Sequence, residues 1–155
     1  MAETECHFCQ KVAGLRDLSP DELVCVLPQS LVLLGPWQHY LGYCIVVSRQ
    51  HATELSQLSD THRAAYLDEM CRVARAIEEE FQPRKLNCEL LGNLVPHLHW
   101  HLFPRYAHDA EALKPVWLAL DRAERDSAER ARLQDGGLPR LAIADRLRTR
   151  LSHST

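Results

Sequence analysis

The chain has 155 residues, 46% of them hydrophobic and 25% charged, which supplies one compact core and is too little for two ordinary domains. Its 18 basic and 21 acidic side chains leave a formal charge of −3, without the basic footprint that nucleic-acid duplexes demand. No apolar run approaches the ~20 residues of a membrane span, and Met1 to Glu5 carry two acids where an export signal carries positive charge, so a cytoplasmic protein with no nucleic-acid or membrane partner is expected.

In chain order, Cys6 and Cys9 come first, a Cys-x-x-Cys pair with His7 between them, a spacing at which two thiolates can share one tetrahedral metal. Cys25, Cys44, Cys71 and Cys88 fall in apolar or amphipathic stretches and read as small packed thiols. A disulfide framework is not expected in a reducing compartment. Glu22 to Leu27 and Ser30 to Gly35 are short apolar runs separated by Pro28-Gln29, and Tyr43 to Ser48 is a third, rich in β-branched residues; these predict strands. Past Ser59 and Asp60, either of which suits an N-cap, Tyr66, Met70, Val73, Ile77 and Phe81 recur at helical spacing until Pro83 stops them. Two more strands are predicted around Leu86 to Leu91 and Leu98 to Phe103, joined through Gly92-Asn93 and closed by Pro104. The fold class is α+β.

From residue 121 onward the chain holds eight arginines and six acids, a charge of +2 against −5 for the residues before it. Helical pieces on either side of Asp135-Gly136-Gly137-Leu138-Pro139 predict a peripheral helix pair with a solvated face of mixed charge. Residues 111–155 are read as a helical extension of the same domain as residues 1–110.

The most informative stretch is Pro96-His97-Leu98-His99-Trp100-His101-Leu102-Phe103-Pro104. On a strand of period two, its three imidazoles share one face and Leu98, Trp100 and Leu102 pack on the other. Two chemistries use such a row. Neutral imidazoles can share a metal ion. Alternatively, one unprotonated ring nitrogen attacks an electrophile such as phosphorus while its neighbours bind charge and move protons. Spacing alone leaves both open.

The run His97-Leu98-His99-Trp100-His101-Leu102-Phe103 resembles the signature of the histidine triad (HIT) superfamily. The resemblance extends over roughly residues 6 to 106: Leu41-Gly42-Tyr43-Cys44-Ile45-Val46-Val47-Ser48-Arg49-Gln50-His51 is similar to the family's glycine, apolar strand and basic turn, and Asn87 and Gly92-Asn93 stand where the family carries an Asn and then Gly-Gln. It implies a five-stranded antiparallel sheet with a long helix packed on it, and two subunits that often pair into one continuous sheet as a homodimer. It also implies His99 as the nucleophile on the α-phosphorus of a nucleotide, and His101, beside His97, as a contact to phosphate and aid to the leaving group. Asn87 and Asn93 would contact phosphate, and Leu31 to Leu34, Leu34 among them, would lie on the strand around base and ribose. Some relatives have an N-terminal Cys-x-x-Cys whose structural zinc is completed by two histidines; here those residues would be Cys6, Cys9, His51 and His97. Three positions depart from the family pattern: Asn93 stands for Gln, Tyr43 for a frequent His, and Leu94 for the small hydroxyl residue of the phosphoramidate-hydrolysing branch.

The reading that results is a HIT-type nucleotide hydrolase acting on a dinucleoside polyphosphate such as diadenosine tetraphosphate, through a nucleotidyl-histidine intermediate discharged by water. The alternatives are a nucleotidyltransferase or phosphorylase, a nucleotide-binding sensor without turnover, and a catalytic zinc site on the histidines themselves.

Overall fold

Alternating apolar side chains build one antiparallel sheet in the computed structural model, which describes residues 5–153. Residues 1–4, part of the stretch read as unlike an export signal, lie outside that range. The strands are β1 (Leu23–Val26), β2 (Ser30–Leu34), β3 (Cys44–Ser48), β4 (Lys85–Glu89) and β5 (His99–Arg105), ordered β1-β2-β3-β5-β4. The helices are α1 (His7–Ala13), α2 (Asp60–Phe81), α3 (Trp117–Arg125), α4 (Ser127–Gln134) and α5 (Arg140–His153). Among the described residues no helix is long and apolar enough to cross a membrane.

The long helix α2 follows its predicted limits for local reasons. Ser59, rather than Asp60, is the N-cap, its side chain accepting the His62 N–H. At the other end Gln82 takes the left-handed conformation, φ 49°, its N–H closing on the Glu78 carbonyl, and Pro83 cannot continue the turn. Tyr66, Val73 and Ile77 line the buried stripe, and the Tyr66 hydroxyl donates to the Val46 carbonyl at 2.8 Å.

Strand register sorts side chains between the two faces of the sheet, because residues paired across strands share a face. Leu31 pairs with Val47 and Val47 with His99; Leu33 pairs with Ile45, Ile45 with His101 and His101 with Glu89; Asn87 pairs with Phe103. All of these stand on one face. The opposite face presents Val32, Leu34, Cys44, Val46 and Leu102, which form the main core under α2 and α5. On the histidine face the covering is split in two. Cys6 and Phe8 pack at α1 against Leu31, Leu33 and Val47, while Val116, Ala119, Leu120, Ala123 and Leu133 pack on Tyr40, Tyr43 and Phe103. His99 and His101 stand between these covers.

The tail departs from its expected peripheral pair. It forms three helices, and α5 inserts Ile143, Ala144 and Leu147, all fully buried, into the main core. These residues and Leu151 form a narrow helical stripe, which the intervening arginines hide in any composition average. The preceding turn packs closely: a Cβ on Gly136 would lie 2.8 Å from the Gln38 carbonyl oxygen, so only glycine fits there without displacement. Leu147→Ala is therefore expected to destabilise the protein by about 2–5 kcal/mol in urea unfolding, as for any core leucine, whereas a peripheral leucine would change stability by less than ~0.5 kcal/mol.

Candidate functional site

Cys6 precedes α1 as its N-cap residue and Cys9 lies in its first turn, so one helix start delivers both thiols. They meet His51, just after β3, and His97, just before β5. The Cys6 sulfur is 3.4 Å from His97 Nδ1, the Cys9 sulfur 3.2 Å from His51 Nδ1 and 3.5 Å from His97 Nδ1, and the two Nδ1 atoms are 3.2 Å apart. All four donor atoms lie within 4.8 Å of one another. His97 Nε2–H donates to the Ser48 carbonyl at 2.7 Å, which leaves Nδ1 bare and facing the cluster. Distances of this size match the edges of a tetrahedron around a four-coordinate ion, ~3.3–3.8 Å for mixed nitrogen and sulfur ligands.

The histidine row thus divides. β5 begins at His99, and His97 belongs to its irregular lead-in, so the expectation of three imidazoles on one strand holds only for His99 and His101. Their ring centroids are 4.8 Å apart. His99 is 5% exposed, sits 4.7 Å from the Phe8 ring, and donates Nδ1–H to the His97 carbonyl at 2.6 Å, leaving Nε2 unprotonated. Burial holds the His97 and His99 imidazoles below the ordinary value, and burial with the adjacent His99 pushes His101 down to about 4. All three are neutral near pH 7.

His101 occupies an aromatic box. Tyr43 stacks on it at 24° with centroids 6.1 Å apart, Phe103 at 14° and 5.8 Å, and Trp117 stands across it at 82° and 5.1 Å. The Tyr43 oxygen lies 2.8 Å from His101 Nδ1. Burial drives the Tyr43 phenol far above its usual range, so it keeps its proton and donates it to Nδ1, which places the imidazole proton on Nε2. Beyond Phe103 the same face continues to Arg105, 3% exposed, whose Nη1 donates to Asn87 Oδ1 at 3.1 Å. This contact orients the Asn87 amide and leaves its Nδ2 donors for another partner.

Beyond Phe8, which packs on His99, a cleft of about 460 Å³ opens between α1, β2 and the start of α5, walled by Phe8, Leu33 and Ile45 and by the charged Lys11, Asp21, Glu22 and Arg140. Leu34 also borders the cleft, but its side chain belongs to the main core on the far face, and its carbonyl accepts from Arg140 at 3.1 Å. Leu33 is the β2 leucine whose side chain shares the histidine face. Asn93 is exposed in the connection before β5, with Leu94 91% exposed beside it. Phe8, Glu89, Arg105 and Trp117 are site neighbours that the sequence reading missed. For Glu89 the signal was residue parity along a strand, and for the others there was none. Tyr43→Phe is expected to keep the stack on Phe103, centroids 3.9 Å apart, and to lose about 1 kcal/mol of stability with its hydrogen bond. Nitrogen-15 spectra of the imidazoles should then show His101 passing from one tautomer to a mixture; an unchanged spectrum would refute the assigned proton positions.

Comparison with known proteins agrees with this geometry. The HIT domain model matches residues 16–108. "Protein hit" of Bacillus subtilis is 31% identical over 117 residues, 72% of this chain and 78% of that protein. Adenosine 5'-monophosphoramidase hnt1 of Schizosaccharomyces pombe is 28% identical over 105 residues, 64% of this chain and 74% of its own length. Among solved structures, a Zn-bound histidine triad family protein from Mycobacterium smegmatis superposes with a TM-score of 0.66 over 97% of this chain and 96% of its own, at 20% identity, a likeness of fold that includes the tail. With its sheet, its paired histidines and these relatives, the chain belongs to the HIT domain family.

Proposed function

We propose that the protein hydrolyses a nucleotide at its α-phosphate, with a dinucleoside polyphosphate as the substrate class and His99 as the nucleophile. The observation that carries this reading is the Nδ1–H bond of His99 to the His97 carbonyl, which bares Nε2 in a buried, neutral imidazole packed against Phe8, itself a wall of the neighbouring cleft. In the proposed reaction Nε2 attacks the α-phosphorus, the bond to the bridging oxygen breaks, and that oxygen leaves with the electron pair. His101 donates Nε2–H to the departing or non-bridging oxygen, its Nδ1 held by Tyr43. Water then adds to phosphorus and the P–N bond breaks, returning its electrons to Nε2 and releasing a nucleoside monophosphate and a proton. Asn87 Nδ2 and the more distant Asn93 are assigned to phosphate, and Leu33, Ile45 and Phe8, beside Leu34, to the nucleoside.

Cys6, Cys9, His51 and His97 are assigned as the ligands of a structural zinc. Bound there, the ion would be coordinatively closed and would tie α1 to both ends of the strand pair that presents His99. The zinc-bound relative supports this assignment. Purified without chelators, the protein is expected to carry about one zinc per chain, and a Cys6→Ser, Cys9→Ser double variant to lose it along with thermal stability. Metal analysis that finds no zinc would remove the assignment.

The phosphoramidase among the relatives makes nucleoside phosphoramidates the second substrate to weigh. A panel of dinucleoside polyphosphates, phosphoramidates and nucleotide sugars, assayed with and without inorganic phosphate, separates hydrolysis from phosphorolysis by product. Acid quenching with labelled substrate should trap nucleotide on the wild-type protein. His99→Gly should abolish both that label and turnover, by at least about 10³-fold, while nucleotide binding persists. A label that survives in this variant would move the nucleophile to another side chain, and turnover that survives without a label would transfer the reading to a metal-based route. Pairing of two copies is assigned to the β4 side of the sheet, since β1 lies against α5 while β4 leads into the exposed Leu91 and Leu94. Thiols assigned to a metal, such as Cys6 and Cys9, suit a reducing cytoplasm.

A further inference from the structure

The chain that follows β5 does more than cover the sheet. Arg105, the last residue of that strand, directs Nε to the Asp109 carboxylate at 2.7 Å, Nη2 to the Glu111 carbonyl at 2.6 Å, and Nη1 to the Lys114 carbonyl at 2.8 Å as well as to Asn87. The guanidinium also lies over the Tyr40 ring, 5.7 Å from its centroid. One buried cation thus fixes the connection 106–114 at three points, and a planar fork with five donors suits that task where an ammonium does not. What the connection delivers is Trp117. The indole stands perpendicular to both His101 and Phe103, and its Nε1–H donates to the Glu89 carboxylate, which pairs across the sheet from His101.

We propose that Trp117 is a positioning residue for His101, seated by Arg105 and Glu89, so that chain beyond the matched HIT domain is part of the reacting unit. The Tyr43 hydroxyl holds the His101 ring at Nδ1, while the near-parallel Phe103 ring and the perpendicular Trp117 indole pack against it and restrict its displacement. A hydrogen-bond donor held in this way meets the leaving oxygen at one distance, and a shift of ~1 Å costs about 10²-fold in rate. The same indole keeps water from the imidazole. The titratable and charged groups facing His101 are Tyr43, before β3; His99, on its own strand; and Glu89, on β4; α3 contributes the uncharged Trp117.

The catalytic half of the proposal rests on the reading of His101 given above; the positioning half does not, and the test reads them separately. In full-length protein, the His101 imidazole is titrated by NMR, and kcat and KM are measured on a dinucleoside polyphosphate. Trp117→Ala should move the His101 midpoint from about 4 toward the ordinary ~6.5 and lower kcat about 10- to 100-fold, with KM changed by less than about threefold and zinc content retained. Trp117→Phe, which keeps a ring but loses the bond to Glu89, should move both readouts the same way by less, and serves where the alanine variant fails to fold. Glu89→Gln, which retains an acceptor for the indole, should keep values near wild type, whereas Glu89→Leu should resemble Trp117→Phe. An unchanged His101 midpoint in the Trp117 variants overturns the proposal, and so does a loss confined to KM, which would make Trp117 a substrate contact. A wild-type protein that turns over no nucleotide in the panel defeats the proposed function, while the NMR midpoint still decides the positioning of His101.

Discussion

Two backbone carbonyls decide which nitrogen each histidine offers. The Ser48 carbonyl takes the Nε2–H of His97, which turns a bare Nδ1 toward Cys6, Cys9 and His51. The His97 carbonyl takes the Nδ1–H of His99, which leaves its Nε2 bare. Residues two apart therefore offer opposite ring nitrogens, the Nδ1 of His97 to the thiols and the Nε2 of His99 to other chemistry. Burial keeps both rings neutral, so the assignment of lone pairs persists at the pH at which the protein folds. The remaining architecture serves these two contacts: the end of β3 must present the Ser48 oxygen, and α1 must begin where its two sulfurs reach His97.

A second constraint is that a sheet buries both faces in a chain of this size. One face is closed by α2 and α5 together, and the buried polar groups of α2 there find partners on the sheet side: the Tyr66 hydroxyl donates to the Val46 carbonyl, and the Glu69 carboxylate accepts from the Ser30 hydroxyl and the Gln29 N–H. The other is closed by two unrelated pieces, α1 from one end of the sequence and α3 with α4 from the other. Their separation is what makes a site possible. Phe8 touches His99 from one cover and Trp117 touches His101 from the other, so each histidine of the strand pair has its own wall.

The elements carried by local periodicity were legible in the sequence. The stripe from Tyr66 to Phe81, the Ser59 cap, the Pro83 stop and the alternation from His99 to Phe103 all depend on neighbours within a few residues, and each appears where expected. Cys6, Cys9, His51 and His97 were grouped through family resemblance, since nothing local joins positions as far apart as 6 and 97. The tail was placed on the periphery because composition states that a segment is charged, not toward what it turns. The parity of β2 relative to β5 is settled only by register, and the stripe on α5 acquires meaning only against α2. Arg105 and Trp117 carry no sequence signal at all, since their partners are carbonyls and rings brought near by the connection between them.

The insertion of α5 into the main core has a consequence for the order in which the molecule can assemble. Its buried residues, Ile143, Ala144, Leu147 and Leu151, are translated after every strand and after α2. At ~5–20 residues per second, a ribosome that has finished β5 needs a few further seconds to deliver them. During that interval the sheet and α2 can pair, but the groove between α2 and β1 stands open and apolar. The nascent chain therefore passes through a stage in which all the candidate site histidines exist and the hydrophobic layer behind them is unfinished, a stage exposed to aggregation and to chaperone capture that ends only when the last helix docks.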